Sequence, residues 1–280
     1  MPPDAGAHQG GAGPPRRPRH PNAGPPGRER LRGRRAPGRS GYVRRLTAAL
    51  WLVALLGGLA ASGAPAAAGA RAPDAFVDLA DVAPGIRQEI RYATRDNFTG
   101  RVVDGYREPV CLLTRDAALA LRRAHRALGE RGFGLLVYDC YRPRRAVESF
   151  LRWADDPDAT GRREEFYPNV PKDRLFEEGY LAERSGHSRG STVDVTLVRR
   201  SGRQVDMGTG FDFFDPRSAP SSRDVGDEQQ EARAVLRAAL TAEGFAPVDT
   251  EWWHFALEDE PFPRRQFDFP VDKGALSKGR

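Results

Sequence analysis

The sequence has few cysteines and few histidines. Its 280 residues include only two cysteines, Cys111 and Cys140, and five histidines. Two cysteines are too few for a fold that depends on several disulfides, so the fold must rely on a hydrophobic core. Hydrophobic residues make up 39% of the sequence, which is enough for such a core in one or two domains. The cysteine pair is compatible with one disulfide or with two buried thiols.

Long hydrophobic runs are also scarce. Residues 46–60 form a mostly apolar run of 15 residues, which is short for a membrane-spanning helix. Two arginines precede this run, and the small-residue pattern Ala-Gly-Ala follows at residues 68–70. A positive, an apolar and a small-residue region in this order are typical of a secretory signal peptide. We therefore expect a signal peptide at residues 44–70 and export to the cell envelope, with a membrane anchor only if the segment is not cleaved.

Most of the chain lacks the positive charge that the whole sequence carries. The formal net charge is +6, but 11 of the 44 basic residues and only two of the 38 acidic residues lie within residues 1–45. The rest of the chain therefore holds 33 basic and 36 acidic residues, so we expect no nucleic-acid partner. Residues 1–43 are rich in Pro, Gly and Arg and are predicted to be a disordered extension. If synthesis starts at Val43, the residues before Val43 are not translated.

Residues 71–280 are predicted to form one domain of mixed secondary structure. Helical spacing of apolar residues predicts three helices, at residues 114–132, 143–151 and 228–243. Apolar or alternating runs predict three strands, at residues 134–140, 191–198 and 252–257. The second of these strands is expected to be half-buried, with Asp194 on its polar face. Because the order lacks a regular β-α-β rhythm, we predict an α+β fold with a central antiparallel sheet and helices packed against it.

Two of the five histidines stand in unusual surroundings. His8 and His20 lie in the predicted extension, and His125 lies within a predicted helix, where a structural or surface role is favoured. The other two are His187, within the run SGHSRG, and His254, which ends the run EWWH. These two histidines are therefore the candidates for chemistry.

His187, Asp194 and His254 form a candidate metal site. Catalytic zinc is usually held by three His or carboxylate ligands, with a fourth position open. A turn at Gly190 can bring His187 and Asp194 together, and His254 must arrive from another strand. Glu251 precedes His254 by three residues and is the candidate base for an attacking water, placed in a loop or bulge before the strand. From these residues alone, both histidines could instead be structural, with Glu251 and Asp194 paired to arginines.

An arginine cluster follows the strand predicted at residues 134–140. Arg142 lies at the predicted strand-to-helix junction, a place where functional side chains are common. Its guanidinium could stabilise the oxyanion that forms when water attacks a carbonyl. Arg144 and Arg145 follow directly, so the residues alone do not decide which arginine has this role.

Five segments carry a resemblance to a known family. They are RYATRDNFTG (91–100), YDCYRPRRAV (138–147), SGHSRGSTVD (185–194), MGTGFDFFDPRS (207–218) and EWWH (251–254). In order and separation they resemble the VanX-type D-alanyl-D-alanine dipeptidases, a branch of the zinc D,D-peptidases. The resemblance implies one zinc ion per chain held by His187, Asp194 and His254. It also implies that Glu251 is the catalytic base and that Arg142 stabilises the tetrahedral intermediate.

The same resemblance implies a pocket for the free ammonium group of the dipeptide. Asp212 matches the carboxylate that receives this group, and Tyr92 and Ser185 match residues that line the pocket. A dipeptidase must bind a free amino terminus, and a buried carboxylate is a natural partner for it. Asp206 and Asp215 are close enough in sequence to be alternatives, and Tyr92 is equally suited to a core position.

The resemblance also bears on location and on competing functions. Cysteines at positions 111 and 140 are not expected in cytoplasmic family members and favour a disulfide in an oxidising compartment. D-Ala-D-Ala is the expected small-molecule partner, and the sequence makes no prediction about an oligomer. A D,D-carboxypeptidase acting on longer peptidoglycan peptides is the alternative. A non-catalytic zinc or wall-fragment binding module is disfavoured because both Glu251 and Arg142 are present.

Overall fold

The computed structural model describes residues 71–277. The predicted extension at residues 1–43 and the predicted signal peptide at residues 44–70 lie outside these residues. Within residues 71–277, no helix is both long and apolar enough to cross a membrane. In chain order the helices and strands are β1 (Phe76–Asp78), α1 (Leu79–Val82), β2 (Arg87–Gln88), β3 (Leu112–Thr114), α2 (Arg115–Glu130), β4 (Phe133–Asp139), α3 (Arg144–Asp155), α4 (Arg163–Phe166), β5 (Thr192–Arg199), α5 (Asp227–Thr241), β6 (Phe245–Pro247) and β7 (His254–Leu257).

A five-stranded sheet lies at the centre of the domain, in the order β2-β4-β5-β7-β6. The pairs β4–β5, β5–β7 and β6–β7 are antiparallel, whereas the two-residue strand β2 lies parallel to β4. Strands β1 and β3 form a separate antiparallel pair. The predicted α+β class is confirmed, and the predicted antiparallel sheet gains one parallel edge strand. Helix α2 lies in the connection from β2 to β4, and a parallel pair requires a crossover of this kind.

The two longest helices pack together and against the sheet. Helix α2 contacts β4, and helix α5 contacts β5 and β6. The buried residues of α2 recur at helical spacing and include Leu121 and Leu128. Gly132 follows this helix with a φ of 84°, a left-handed conformation that glycine adopts without steric cost. The predictions for α2 and α5 are confirmed within two residues at each end. Helix α3 begins directly after Pro143 as predicted, but it continues to Asp155, four residues beyond its predicted end.

Strand β5 is buried on both faces, so the prediction of a half-buried strand is wrong. Every residue from Thr192 to Val198 is buried. Helix α5 contacts the strand, and the segment around Phe211 covers the other side of the sheet, where the Tyr138 and Phe211 rings stack with centroids 4.7 Å apart. The alternating pattern therefore separates an apolar face from a buried polar face, rather than core from solvent.

The strand register brings three polar residues together at one end of the sheet. Asp139 at the end of β4 lies opposite Asp194 of β5, and Asp194 lies opposite His254 at the start of β7. The β4–β5 register shifts between Val137 and Asp139, an irregularity that can redirect a side chain. Glu251 lies before β7, outside the strand, as predicted. This end of the sheet therefore carries the candidate site.

Candidate active site

Three buried or half-buried side chains converge at the end of the sheet. His187 Nε2 lies 3.3 Å from His254 Nδ1 and 3.3 Å from Asp194 Oδ1. His254 Nδ1 lies 3.1 Å from the same Asp194 oxygen. Each residue thus directs one potential ligand atom to a common point, and the three atoms form a nearly equilateral triangle. We call these three residues the metal triad.

The geometry of the metal triad fits a tetrahedral metal ion. Ligands about 2.0–2.1 Å from a tetrahedral zinc ion lie roughly 3.3 Å from one another, close to the separations in the triangle. Among the described residues, Asp194 Oδ1 is a buried oxygen without a hydrogen-bond partner. Although burial raises the pKa of Asp194, the neighbouring His187 and His254 lower it below its usual value. Burial lowers the pKa of His254, so both groups favour the deprotonated form that binds a metal.

The orientation of His187 is set by its second ring nitrogen. Its Nδ1 lies 2.7 Å from the carbonyl oxygen of Cys140, which can only accept, so Nδ1 carries the proton and donates. Nε2 is then unprotonated, and its lone pair is available to a metal ion held together with Asp194 and His254. Metal-binding histidines commonly have such a partner, which fixes the tautomer and the ring angle. A short 3-10 turn, Gly186–Arg189, carries His187, and the Ser185 hydroxyl begins this turn by accepting from His187 N.

Glu251 lies beside the metal triad without belonging to it. Its Oε2 is 3.8 Å from His254 Nδ1, farther than the triad atoms are from one another. Burial raises the pKa of Glu251 well above its usual range, and the negative charges of Asp194 and Asp212 raise it further. A carboxylate with a raised pKa is a stronger proton acceptor, which suits a general base. The loop formed by Trp252 and Trp253 places it on the cavity side of the triad.

Arg142 is held rigidly at the junction between β4 and α3. Its Nε donates to Asp139 Oδ2 at 2.9 Å, and its Nη2 lies 2.8 Å from the same oxygen. The guanidinium also lies over the rings of Tyr92 and Phe150, at 4.8 and 5.2 Å from their centroids. Nη2 is 3.6 Å from Asp194 Oδ2, so the cation lies next to the metal triad.

The neighbouring arginines are used elsewhere. Arg144 pairs with Glu148 at 3.2 Å, and Arg145 pairs with Asp268 at 3.0 Å. Arg142, in contrast, lines the cavity beside the metal triad. Of the three arginines in this cluster, Arg142 therefore has the position that an oxyanion partner needs.

Asp212 occupies an unusual position for a carboxylate. It is buried, and the Tyr92 hydroxyl donates to its Oδ2 at 2.9 Å. Among the described residues, Asp212 is the one residue other than glycine whose backbone angle φ is positive, at 57°. Backbone in this region is disfavoured and is often associated with function. Burial raises the pKa of Asp212 well above its usual range, and Asp194 adds to this effect. A cationic ligand would compensate the charge that burial disfavours.

The two alternative aspartates have structural partners. Asp206 is exposed and accepts from Gly208 N, and Asp215 accepts from Arg217 N at the start of a short 3-10 turn. Asp212, by contrast, lines the cavity. The structure therefore brings Asp212, and neither alternative, to the candidate site.

A cavity of about 190 Å³ connects these groups. The metal triad, Glu251 and Arg142 lie on its wall, and so do Asp212, Tyr92 and Ser185. The remaining wall includes the loop residues Tyr180, Leu181, Val248 and Thr250. Pockets for drug-sized ligands are about 300–1,000 Å³, so this cavity suits a smaller ligand. All eight residues predicted for the site line this one cavity.

Comparison with known proteins agrees with this geometry. A family model described as D-Ala-D-Ala dipeptidase matches residues 73–272. The chain belongs to this dipeptidase family. The predicted family is therefore confirmed, and the protein is a peptidase of a metal-dependent family.

Individual relatives cover nearly the same region. The chain is 43% identical over 197 residues to the D-alanyl-D-alanine dipeptidase of Enterococcus faecalis, an alignment that covers 70% of this chain and 98% of that protein. It is 46% identical over 198 residues to the enzyme of the same name from Streptomyces coelicolor, an alignment that covers 70% of this chain and 97% of that enzyme. The D-alanyl-D-alanine dipeptidase of Escherichia coli is 35% identical over 182 residues, an alignment that covers 65% of this chain and 84% of that enzyme.

Asp139 is a site residue that the sequence analysis missed. It is fully buried, and its Oδ1 accepts from the Tyr106 hydroxyl at 2.6 Å while its Oδ2 faces Arg142. The same Oδ2 lies 3.4 Å from His187 Nδ1. In this dipeptidase-family chain, one carboxylate therefore positions the cavity arginine and lies next to a residue of the metal triad. A carboxylate ending an apolar strand three residues before Arg142 was the available signal.

Replacing Asp139 with asparagine is expected to lower kcat by about 10–100-fold, the usual effect of losing an outer partner of a metal site. If the amide oxygen accepts from Tyr106, its NH₂ group must face the donors of Arg142 and His187. The expected effect lies on kcat, with KM for a dipeptide little changed. Steady-state kinetics would measure both, with Asp268→Asn as the control, because Asp268 holds Arg145 outside the cavity. A change in KM alone would contradict this role.

Proposed function

We propose that the protein is an exported, zinc-dependent dipeptidase that hydrolyses D-Ala-D-Ala in the cell envelope. The observation that carries this proposal is one small cavity with a metal triad and a buried carboxylate, Asp212, on the same wall. The relatives named D-alanyl-D-alanine dipeptidase support the substrate. Export would place the enzyme where peptidoglycan fragments are found, which favours turnover of wall fragments.

The size and charge of the cavity favour a dipeptide over a longer peptide. Asp212 is suited to a free ammonium group, because a charge-assisted hydrogen bond offsets the burial of its carboxylate. A longer peptidoglycan stem carries an amide at that position and has no cation to offer. The walls formed by Tyr180 and Leu181 further limit the space. The alternative, a D,D-carboxypeptidase, would need an open groove.

Zinc is the ion we propose for the metal triad. Two imidazoles and one carboxylate, with a position left open, are a common ligand set for catalytic zinc. When bound, zinc polarises the carbonyl under attack and makes water more acidic. His187, Asp194 and His254 would hold it, with His187 kept in the correct tautomer by the Cys140 carbonyl.

The other residues of the cavity then have separate tasks. Glu251 accepts the proton of the attacking water and returns it to the leaving amine. Arg142 donates to the oxygen that becomes negative during attack, and Asp139 keeps its guanidinium in place. Asp212 and Tyr92 hold the ammonium group and thereby fix the distance of the peptide bond from Glu251.

The proposal of export rests on two features. The pattern of residues 44–70 is typical of a signal peptide. Cys111 and Cys140 are joined by a disulfide, and structural disulfides form in oxidising compartments. N-terminal sequencing of the native protein, together with thiol alkylation before lysis, tests this proposal. A chain that retains residues 44–70 in the cytoplasm, with both thiols reduced, would contradict it.

Purified protein should hydrolyse D-Ala-D-Ala, and it should do so only with metal bound. A chelator is expected to abolish the activity and stoichiometric Zn²⁺ to restore it, measured by release of D-alanine. The comparison substrates are L-Ala-L-Ala and a pentapeptide that ends in D-Ala-D-Ala. Faster cleavage of the pentapeptide would favour the carboxypeptidase alternative. Full activity in the chelated protein would contradict the metal mechanism.

Asp212→Asn is expected to reduce the preference for a free amino terminus. A hydrogen bond to a charged group contributes about 1.5–3 kcal/mol, so kcat/KM for the dipeptide should fall by roughly 10–100-fold. The slow cleavage of N-acetyl-D-Ala-D-Ala should change little, because this substrate has no ammonium group. Asp206→Asn is the control, because Asp206 is exposed. An equal loss of kcat/KM with both substrates would mean that Asp212 does not bind the ammonium group.

A further inference from the structure

The Cys111–Cys140 disulfide includes a residue that contacts the metal triad, since the Cys140 carbonyl oxygen lies 2.7 Å from His187 Nδ1. The two residues are 29 positions apart in sequence, with Cα atoms 5.3 Å from each other, and both are buried. Cys111 precedes β3, and Cys140 follows the last residue of β4. The bond therefore joins the end of a central strand to a different part of the core.

Backbone hydrogen bonds hold Cys111, one end of this disulfide, in place. Its backbone N donates to Gln88 Oε1 at 2.9 Å, and its carbonyl accepts from Leu79 N at 2.9 Å. Next to it, Leu112 O accepts from Tyr141 N at 2.9 Å. Cys111 is therefore held by two elements of the fold before the disulfide is considered.

Cys140 is the residue whose carbonyl orients His187. The His187 Nδ1 to Cys140 O distance is 2.7 Å, and this contact directs Nε2 toward Asp194 and His254. Cys140 lies outside the strands and helices, between β4 and α3. Its neighbour Asp139 and the nearby Arg142 are both part of the site. A small movement of the chain at Cys140 would therefore displace several groups of the site together.

We propose that the Cys111–Cys140 disulfide is a positioning element of the metal site. By holding Cys140 it keeps the carbonyl at the distance that orients His187, so the oxidised chain binds the ion more tightly than the reduced chain. This inference rests on the metal site of the proposed function. In an exported protein the metal site would reach full affinity only after the chain enters an oxidising compartment.

The chemistry of this step is thiol–disulfide exchange. The two thiols lose two protons and two electrons as the sulfur–sulfur bond forms, and an incoming disulfide, from a protein or a small molecule, is reduced to two thiols. The reverse step requires a dithiol or two equivalents of a monothiol such as glutathione, which is oxidised to a disulfide. Because both cysteines are buried, exchange requires the chain to open locally, so the bond is stable once the domain has folded.

The test compares the affinity for Zn²⁺ in the full chain with and without the disulfide. Zn²⁺ is titrated into metal-free protein in competition with a chromophoric chelator. The double variant Cys111→Ala with Cys140→Ala, which leaves no thiol to bind the ion, is expected to bind Zn²⁺ about 10–100-fold more weakly. Leu113→Ala is the matched control, because it opens the same part of the core but leaves the disulfide intact. This control is expected to keep the affinity of the unmodified protein.

Each outcome of the titration has a distinct meaning. If the double variant binds Zn²⁺ as tightly as the unmodified protein, or if Leu113→Ala loses as much affinity, the positioning role is wrong and the proposed function stands. If the oxidised, unmodified protein does not bind Zn²⁺, the metal site of the proposed function fails instead.

A second measurement applies if circular dichroism shows that the double variant does not fold. Binding and oxidation are linked, so Zn²⁺ must favour the disulfide by the same factor by which the disulfide favours Zn²⁺. The unmodified protein is equilibrated in a glutathione redox buffer, with and without a buffered concentration of free Zn²⁺. We expect the reduction potential of the disulfide to fall by about 30–60 mV, the equivalent of a 10–100-fold change for two electrons. An unchanged potential would overturn the proposal.

Discussion

Replacing Glu251 with glutamine is expected to lower kcat by about 10²–10⁴-fold while the bound metal is retained. Glutamine has nearly the same size as glutamate but cannot accept the proton of an attacking water. Glu251 stands 3.8 Å from His254 Nδ1 and is outside the metal triad, so its replacement leaves all three ligand atoms in place. The measurements are the rate of D-alanine release and the metal content of the same preparation.

A matched control separates this effect from a general loss of structure. Glu243→Gln removes a half-buried carboxylate that pairs with the exposed Arg123, away from the cavity, and should keep both activity and metal. Loss of metal from the Glu251 variant would mean that Glu251 acts as a ligand. Undiminished turnover would remove Glu251 from the mechanism.

The sequence analysis succeeded where short-range patterns determine structure. Helix α2 could be placed because apolar residues recur at helical spacing from Thr114 and a glycine at position 132 ends the pattern. Glu251 was expected before its strand because a spacing of three residues from His254 does not converge on a strand. The turn of Trp252 and Trp253 provides this convergence. Roles for these residues stay predictions until the variants are measured.

Other features depend on contacts between distant segments. The burial of the polar face of β5 could not be read from its alternation, since it depends on the loop after the strand folding back, so that Phe211 stacks on Tyr138 of the neighbouring strand β4. The importance of Asp139 depends on a register that places it opposite Asp194. The role of the Cys140 carbonyl in orienting His187 could not be predicted either, because it is a backbone contact that does not depend on the cysteine side chain. Such backbone contacts arise from tertiary packing and leave no pattern in composition or spacing.

Arg142→Ala is expected to lower kcat by about 10²–10³-fold, the range observed when one oxyanion donor is removed. The guanidinium is preorganised by Asp139 on one edge and by the rings of Tyr92 and Phe150 on its face, so it needs no reorganisation during the reaction. Arg142→Lys should recover only part of the activity, because an ammonium group cannot keep the contacts to Asp139 and also donate to the substrate.

Arg144→Ala is the control for this prediction, because Arg144 is exposed, lies two residues away and pairs with Glu148. It should retain the kcat of the unmodified protein. The oxyanion exists only in the transition state, so the Arg142→Ala variant should lose kcat and kcat/KM in equal measure, with KM nearly constant. A raised KM with unchanged kcat would instead mean that Arg142 binds the substrate before the reaction, for example through the C-terminal carboxylate of the dipeptide. In that case the negative oxygen would depend on the metal alone, and the contact between Asp139 and Arg142 would serve substrate binding.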